Sequence, residues 1–165
     1  MGCDIHAYLE IENPNDRVES IGRVRLGRDY VLFGLMAGVR GDTVLFEPRG
    51  LPKNIGWDVE RDNWLYVIDE DEVGEEGCCS REQAESWLSC GSTYKDERKM
   101  QISDPDAHSH SFLYTNEMIL VVDRLEALSK KEGYRPYVAV YAVVAAMKEI
   151  DKRGNKARLT FWFDN

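Results

Sequence analysis

Histidine is scarce in this 165-residue chain: His6, His108 and His110 are its whole supply. Cysteine is nearly as scarce, with Cys3, Cys78, Cys79 and Cys90, and no two of these stand in Cys-x-x-Cys spacing. That excludes the common thiol–zinc and thioredoxin-type motifs. The adjacent Cys78-Cys79 pair suits a disulfide framework poorly, so a reducing, cytoplasmic compartment is expected. There is no Gly-x-x-x-x-Gly-Lys phosphate loop and no Gly-x-Ser-x-Gly nucleophile elbow. Positive charge is short: 21 basic residues face 30 acidic ones, a net charge of −9. A uniformly acidic surface repels phosphate backbones, which excludes non-specific nucleic-acid binding, though a local arginine cluster can still hold a compact anion. Long apolar runs are missing too. The longest, "YVAVYAVVAAM" at 137–147, is roughly half of the ~20 residues a membrane helix needs. The opening "MGCDIHAY" has neither the basic segment nor the apolar stretch of a secretory leader. It also places His6 where an acylation signal wants Ser or Thr. No membrane partner is expected.

The remaining composition, 43% hydrophobic and 31% charged, is that of a globular chain, and its length suits a single domain over 1–165. Residues 4–12, "DIHAYLEIE", alternate. Ile5, Ala7, Leu9 and Ile11 share one face and Asp4, His6, Tyr8, Glu10 and Glu12 the other, the pattern of a half-buried strand. "RVRLG" at 23–27 reads as a short extended piece. Asp29 is placed to cap a helix over about 30–38, and "VRGDTVLFEPRGLP" at 39–52 reads as loop. "NWLYVI" at 63–68 reads as a strand, and the acidic run 69–77 as a solvated loop. Ser80 with Gln83 forms a capping box for a short helix that Gly91 stops. The chain from 92 to 106 reads as irregular. Thr115 is placed to cap a helix over about 116–131, and a second long helix is expected over about 136–152. "ARLTFWFD" closes the chain as a strand, and the first and last strands are natural sheet neighbours. The expected fold is α+β: a small, mostly antiparallel sheet with three or four helices packed on one face.

All three histidines fall in two Asp-x-His contexts, "MGCDIH" and "DPDAHSHS". Strand alternation puts Asp4 and His6 on one face, and Asp106, His108 and His110 on one face if the second segment is extended. Imidazole and carboxylate are ligands that zinc, manganese and iron accept. His6, His108, His110 and Asp106 are therefore the candidate metal ligands, and Asp4 and Asp106 the candidate catalytic or orienting carboxylates. The competing reading is a surface loop with ordinary turn residues. Arg40 and Arg49, each beside a glycine in the 39–52 loop, are candidate anion-binding residues, with pairing to nearby acidic side chains as the competing reading. Cys3 shares the parity of Ile5 and Leu9 and reads as core.

"MGCDIH", "GRDYVLFGLMAGVRG", "PRGLP", "HSHSFL" and the closing "FWFDN" together resemble a group of small phage and prophage proteins of uncharacterised function. The resemblance implies a protein acting in the cytoplasm of an infected bacterial cell. "DAHSHS" is also similar to the Asp-x-His-x-His opening of polymerase-and-histidinol-phosphatase type metal hydrolases, which implies metal binding by His108 and His110. The chain is too short for that barrel and has no further histidines to complete its site. The leading expectation is a small metal-dependent hydrolase acting on a phosphoester or nucleotide. The alternative is a non-enzymatic module that binds a small anionic ligand or inhibits a host protein.

Overall fold

The chain is seen in a computed structural model that describes residues 2–15, 17–68 and 77–164. The acidic run expected at 69–77 lies, apart from Gly77, outside the described residues. The order of elements is β1 (Asp4–Glu12), β2 (Val18–Val24), α1 (Tyr30–Ala37), α2 (Trp57–Asp62), β3 (Trp64–Ile68), β4 (Cys78–Ser80) and α3 (Arg81–Trp87). After a 3-10 turn at Leu88–Cys90 come β5 (Gln101–Ser103), β6 (His108–Tyr114), α4 (Thr115–Glu132), α5 (Val138–Lys152) and β7 (Lys156–Asp164).

Four strands form an antiparallel sheet in the order β2-β1-β7-β6. Its spine is the β1–β7 pair, in unbroken register from Asp4↔Asp164 to Glu12↔Lys156. The alternation read in β1 holds for Ile5, Ala7 and Leu9, buried beside Leu159, Phe161 and Phe163 of β7. The strand is not half-buried throughout, however: Ile11 is only partly buried, and Tyr8 and Glu10 on the opposite face are buried as well. Helices α1, α4 and α5 cover that face with Leu32, Phe33 and Met36, with Met118, Val121 and Leu125, and with Val140, Val143, Val144 and Met147. Each such fully buried side chain contributes about 1.5–3 kcal/mol by leaving water.

The helix ends follow from their sequences. Asp29 Oδ1 accepts the Leu32 N–H at the start of α1. Ser80 and Gln83 exchange both bonds of the capping box that opens α3. Gly133 ends α4 in the left-handed conformation that glycine adopts most readily. Thr115 does not cap α4: its hydroxyl is buried without a partner, and the Glu117 carboxylate instead accepts the Tyr114 N–H. Gly34 of α1 lies against Gly41, where a Cβ would stand 2.7 Å from the Gly41 Cα, so the loop after α1 folds back directly onto the helix backbone.

A second, three-stranded sheet, β4-β3-β5, is added beside the first and packs Cys79 and Ile102 against Ala84 of α3. Its short strands β4 and β5, like α2, lie outside the expected elements.

The far face of the main sheet is covered by the segment running from Arg49 through α2. Val59 packs on Tyr8 and Trp162, with Leu51 and Ile55 around them. Beneath this cover Glu10 and Arg158, 0% and 1% exposed, form an ion pair of 2.8 Å. Glu10 also accepts from Thr160 Oγ1 at 2.6 Å and from the Gly56 N–H, while Arg158 donates to Glu12 and to the Asn54 carbonyl. Every polar atom of this pair that leaves water therefore meets a partner, the condition under which a buried charge is tolerated.

Candidate functional site

The site lies at the end of the main sheet where β1 begins and β7 ends. The β1 parity that buries Ile5 and Ala7 sends Asp4, His6 and Tyr8 to the opposite face, and β7 sends Asp164 and Trp162 there beside them. Trp162 is the centre of a row of rings. His6 stacks on it at 5.4 Å between centroids and 5° between planes, Tyr8 at 5.3 Å, and His110 at 5.8 Å from β6 on the other side. The row is tied from α2 and the residue after it: Tyr8 O–H donates to Asp62, and His110 Nε2 donates to Asn63 Oδ1 at 2.7 Å. Burial, and next the nearby His108, push the His110 imidazole below its ordinary value of 6.5. Burial, and next the Asp62 hydrogen bond, push the Tyr8 phenol well above its usual range.

His6 has both ring nitrogens engaged. Arg23 lies 3.1 Å from Nδ1, and a guanidinium can only donate, so Nδ1 is the acceptor nitrogen. Nε2 therefore carries the hydrogen and donates it to Asp164 Oδ2 at 2.8 Å. Asp164 Oδ1 in turn accepts the Asp4 backbone N–H at 3.1 Å. The imidazole is fixed in tautomer by the carboxylate and in plane by the indole, its Nδ1 lone pair is taken by Arg23, and both residues line an open pocket.

That pocket, about 380 Å³, is lined by Asp4, His6, Asp164 and three arginines, Arg23, Arg25 and Arg28, together with Leu26 and Gly27. Arg23 lies opposite Tyr8 in the β1–β2 register and so shares its face, and Arg25 follows two residues on. Gly27 turns the chain with a φ of +68° and packs against the Tyr137 ring, where a Cβ would stand 2.6 Å away, so the turn that brings Arg28 back requires glycine. Arg28 forks onto Asp4: Nε donates to Oδ1, and Nη2 to Oδ2 at 2.7 Å. The Arg28 hydrogen bond holds the Asp4 carboxyl below the usual carboxylate range. Arg25 has no ion-pair or hydrogen-bond partner among the described residues. Three guanidinium groups thus face two carboxylates, and the pocket is locally positive in an acidic protein.

The residues expected from sequence are distributed as follows. His6 and Asp4 line the pocket. His108 and His110 do not share a face. The strand is bulged between His108 and Ser111, with Ser109 at a φ of +53°, and that extra turn of backbone re-aims the following side chain. His108 consequently lies on Phe163 and His110 on Trp162, consecutive residues whose side chains leave β7 on opposite faces. Asp106 is exposed in the turn before β6, its N–H donating to Asp104 Oδ1 as ordinary turn chemistry. The expected metal-ligand set, His6, His108, His110 and Asp106, is not brought together: the Trp162 ring stands in the row between His6 and His110. Among the described residues no group of three or more His, Cys, Asp or Glu side chains is placed to hold a metal ion.

Arg49 is a strut rather than a pocket residue. It donates to the Phe112 carbonyl, forks onto Glu117 and lies over the Phe112 ring at 4.2 Å, which pins the covering segment to β6 and α4. Arg40 lies beside Cys3, whose thiol is fully buried and pushed up by burial, with Arg40 opposing the rise. This thiol is a core group, not a nucleophile. The three pocket arginines escaped the sequence reading, although "RVRLGR" carries the signal: three arginines within six residues of an acidic chain.

Among the described residues no helix is long and apolar enough to cross a membrane. Set against known protein families, curated proteins and solved structures, the chain matches none.

Proposed function

We propose that the protein binds a small anionic ligand of the phosphoester class in the pocket at the β1–β7 end. The observation that carries this reading is the convergence of Arg23 and Arg25 beside His6 in one open pocket. Arg23 is exposed and tied only to an imidazole lone pair, and Arg25 has no partner among the described residues, so both can turn to an incoming phosphoryl group without breaking an ion pair. Guanidinium groups suit this task because they present several N–H donors in a plane.

Hydrolysis of the bound ester is a second reading, favoured by the His6–Asp164 contact. Once Arg23 moves to the anion, Nδ1 is left with a free lone pair beside it. A water attacking phosphorus would give its proton to Nδ1 as the new P–O bond forms. The ester P–O bond would break, and the leaving oxygen would take that proton back. Asp164 would stabilise the imidazolium between the two transfers.

Nuclear magnetic resonance titration of the full chain with inorganic phosphate and phenyl phosphate tests the binding. Shifts at His6 that saturate, and that vanish in an Arg23→Ala/Arg25→Ala variant, are expected. No saturable shift at millimolar ligand overturns it. For the second reading, phosphorus resonance follows phenyl phosphate cleavage, and His6→Gln should bind yet not cleave.

A further inference from the structure

The pocket already contains a carboxylate seated in a guanidinium fork. Asp4 takes Arg28 through both of its oxygens, the bidentate arrangement a free carboxylate ligand would seek. Both side chains are about half exposed, so the pair sits at the mouth of the pocket and not beneath it. Neither is free to drift. The Asp4 backbone is held by Asp164, and Arg28 is aimed by the Gly27 turn against Tyr137. A residue held in this way competes as an intramolecular ligand, with an effective concentration in roughly the millimolar range or above. A free carboxylate brings the same charge and shape and gains nothing by the exchange. Arg23 and Arg25 offer it no pre-aimed fork of this kind, because Arg23 already spends a donor on His6 and no contact among the described residues orients Arg25. A phosphoryl group differs in charge and in shape. Its three oxygens can bridge Arg23 and Arg25 beside the closed Asp4–Arg28 pair, and its second charge is drawn to the locally positive pocket.

We propose that Asp4 is the specificity-determining residue of the pocket: by filling the Arg28 fork it excludes monoanionic carboxylates and leaves only the Arg23–Arg25 side open, to a dianionic phosphoryl group. This rests on the reading of the pocket as an anion site. It gives Asp4 a role other than catalysis, and it explains why an aspartate lies in the mouth of a pocket meant for anions.

The test is isothermal titration of the full chain and of Asp4→Asn with inorganic phosphate and with acetate, at about pH 8, where a phosphoryl group is dianionic. The wild-type chain should bind phosphate and ignore acetate. Asp4→Asn should bind acetate as well, and the ratio of phosphate to acetate affinity should fall by at least fivefold. Loss of a negative charge alone would act the other way, because it favours a dianion more than a monoanion and raises that ratio. Adding Arg28→Lys to Asp4→Asn keeps the charge and removes the fork, so acetate binding should be lost again while phosphate stays within about threefold. If Asp4→Asn binds phosphate but still ignores acetate, or if the ratio rises, the proposal is overturned and the anion pocket stands. If phosphate binds neither chain, the pocket reading falls, and this proposal with it.

Discussion

Replacing Arg158 by Met removes the guanidinium from a site 1% exposed and strands the Glu10 carboxylate, which is 0% exposed. Two of Glu10's donors survive, Thr160 Oγ1 and the Gly56 N–H, but its cationic partner is gone. Breaking one side of a buried pair destabilises by about 3–5 kcal/mol. For a chain of this size each kcal/mol shifts the melting midpoint by roughly 2–4 °C, so Arg158→Met should melt roughly 6–20 °C lower. The loss has a spatial signature. Arg158 also donates to the Asn54 carbonyl, so the covering segment loses that underside anchor and keeps only the bond from Gly56 to the stranded Glu10, before the helical face is touched. Limited proteolysis of Arg158→Met should cut first between residues 50 and 56. Neutralising both partners is expected to restore most of the loss: in Glu10→Gln/Arg158→Met the amide oxygen can accept the Gly56 N–H, the amide NH2 can donate to the Thr160 hydroxyl, and no charge is buried. Urea titration at neutral pH, followed by tryptophan fluorescence, measures all three chains. A loss below about 1 kcal/mol in the single variant, or a double variant as unstable as the single, would refute the argument that an uncompensated charge is what destabilises.

The lowered His110 value sets a pH dependence. The unfolded imidazole takes up a proton near its ordinary value while the folded one resists it, so stability from this group is full above about pH 6.5 and falls as pH drops below it. The urea midpoint of wild type should decline through that window more steeply than that of His110→Asn, and parallel declines would remove His110 as the cause. Gly34→Ala puts a Cβ 2.7 Å from the Gly41 Cα, a backbone contact that cannot swing away, and should cost about 1–3 kcal/mol in the same urea assay; an unchanged midpoint would show that the loop yields freely. Ser80→Ala removes one half of the α3 capping box and should cost about 1 kcal/mol, read as faster amide exchange through 81–87. No change in exchange there would mean the second sheet alone holds the helix.

Much of the main sheet was legible because its signals are local and periodic. The alternation in 4–12, the Asp29 cap, the Ser80–Gln83 box and the glycine after α4 each determine structure within a few residues. The second sheet was not legible, since three-residue strands such as β4 and β5 carry no readable period. Half of the site was visible as well. Alternation alone places Asp4 and His6 on one face, and the terminal strands read as natural neighbours. The His-x-His segment misled because alternation presumes an unbroken strand, and a serine at positive φ inside a bulge is invisible to that rule. Arg49 drew attention by its glycine and proline neighbours, which mark a loop but not what the loop touches. Arg23, Arg25 and Arg28 drew none, because their convergence depends on the β1–β2 register and on one glycine turn.

The pairing of Asp164 with His6 joins positions 158 residues apart, and β7 lies between β1 and β6. At ~5–20 residues per second of synthesis, an interval on the order of 10–30 s separates the two halves of the pocket on the ribosome. Throughout it the β1–β2 ribbon waits with one whole edge of hydrogen-bonding groups unmatched, and a template of that kind invites the wrong partner. The arrangement that makes the pocket wait for β7 also makes β1 the segment a nascent-chain chaperone would be expected to shield.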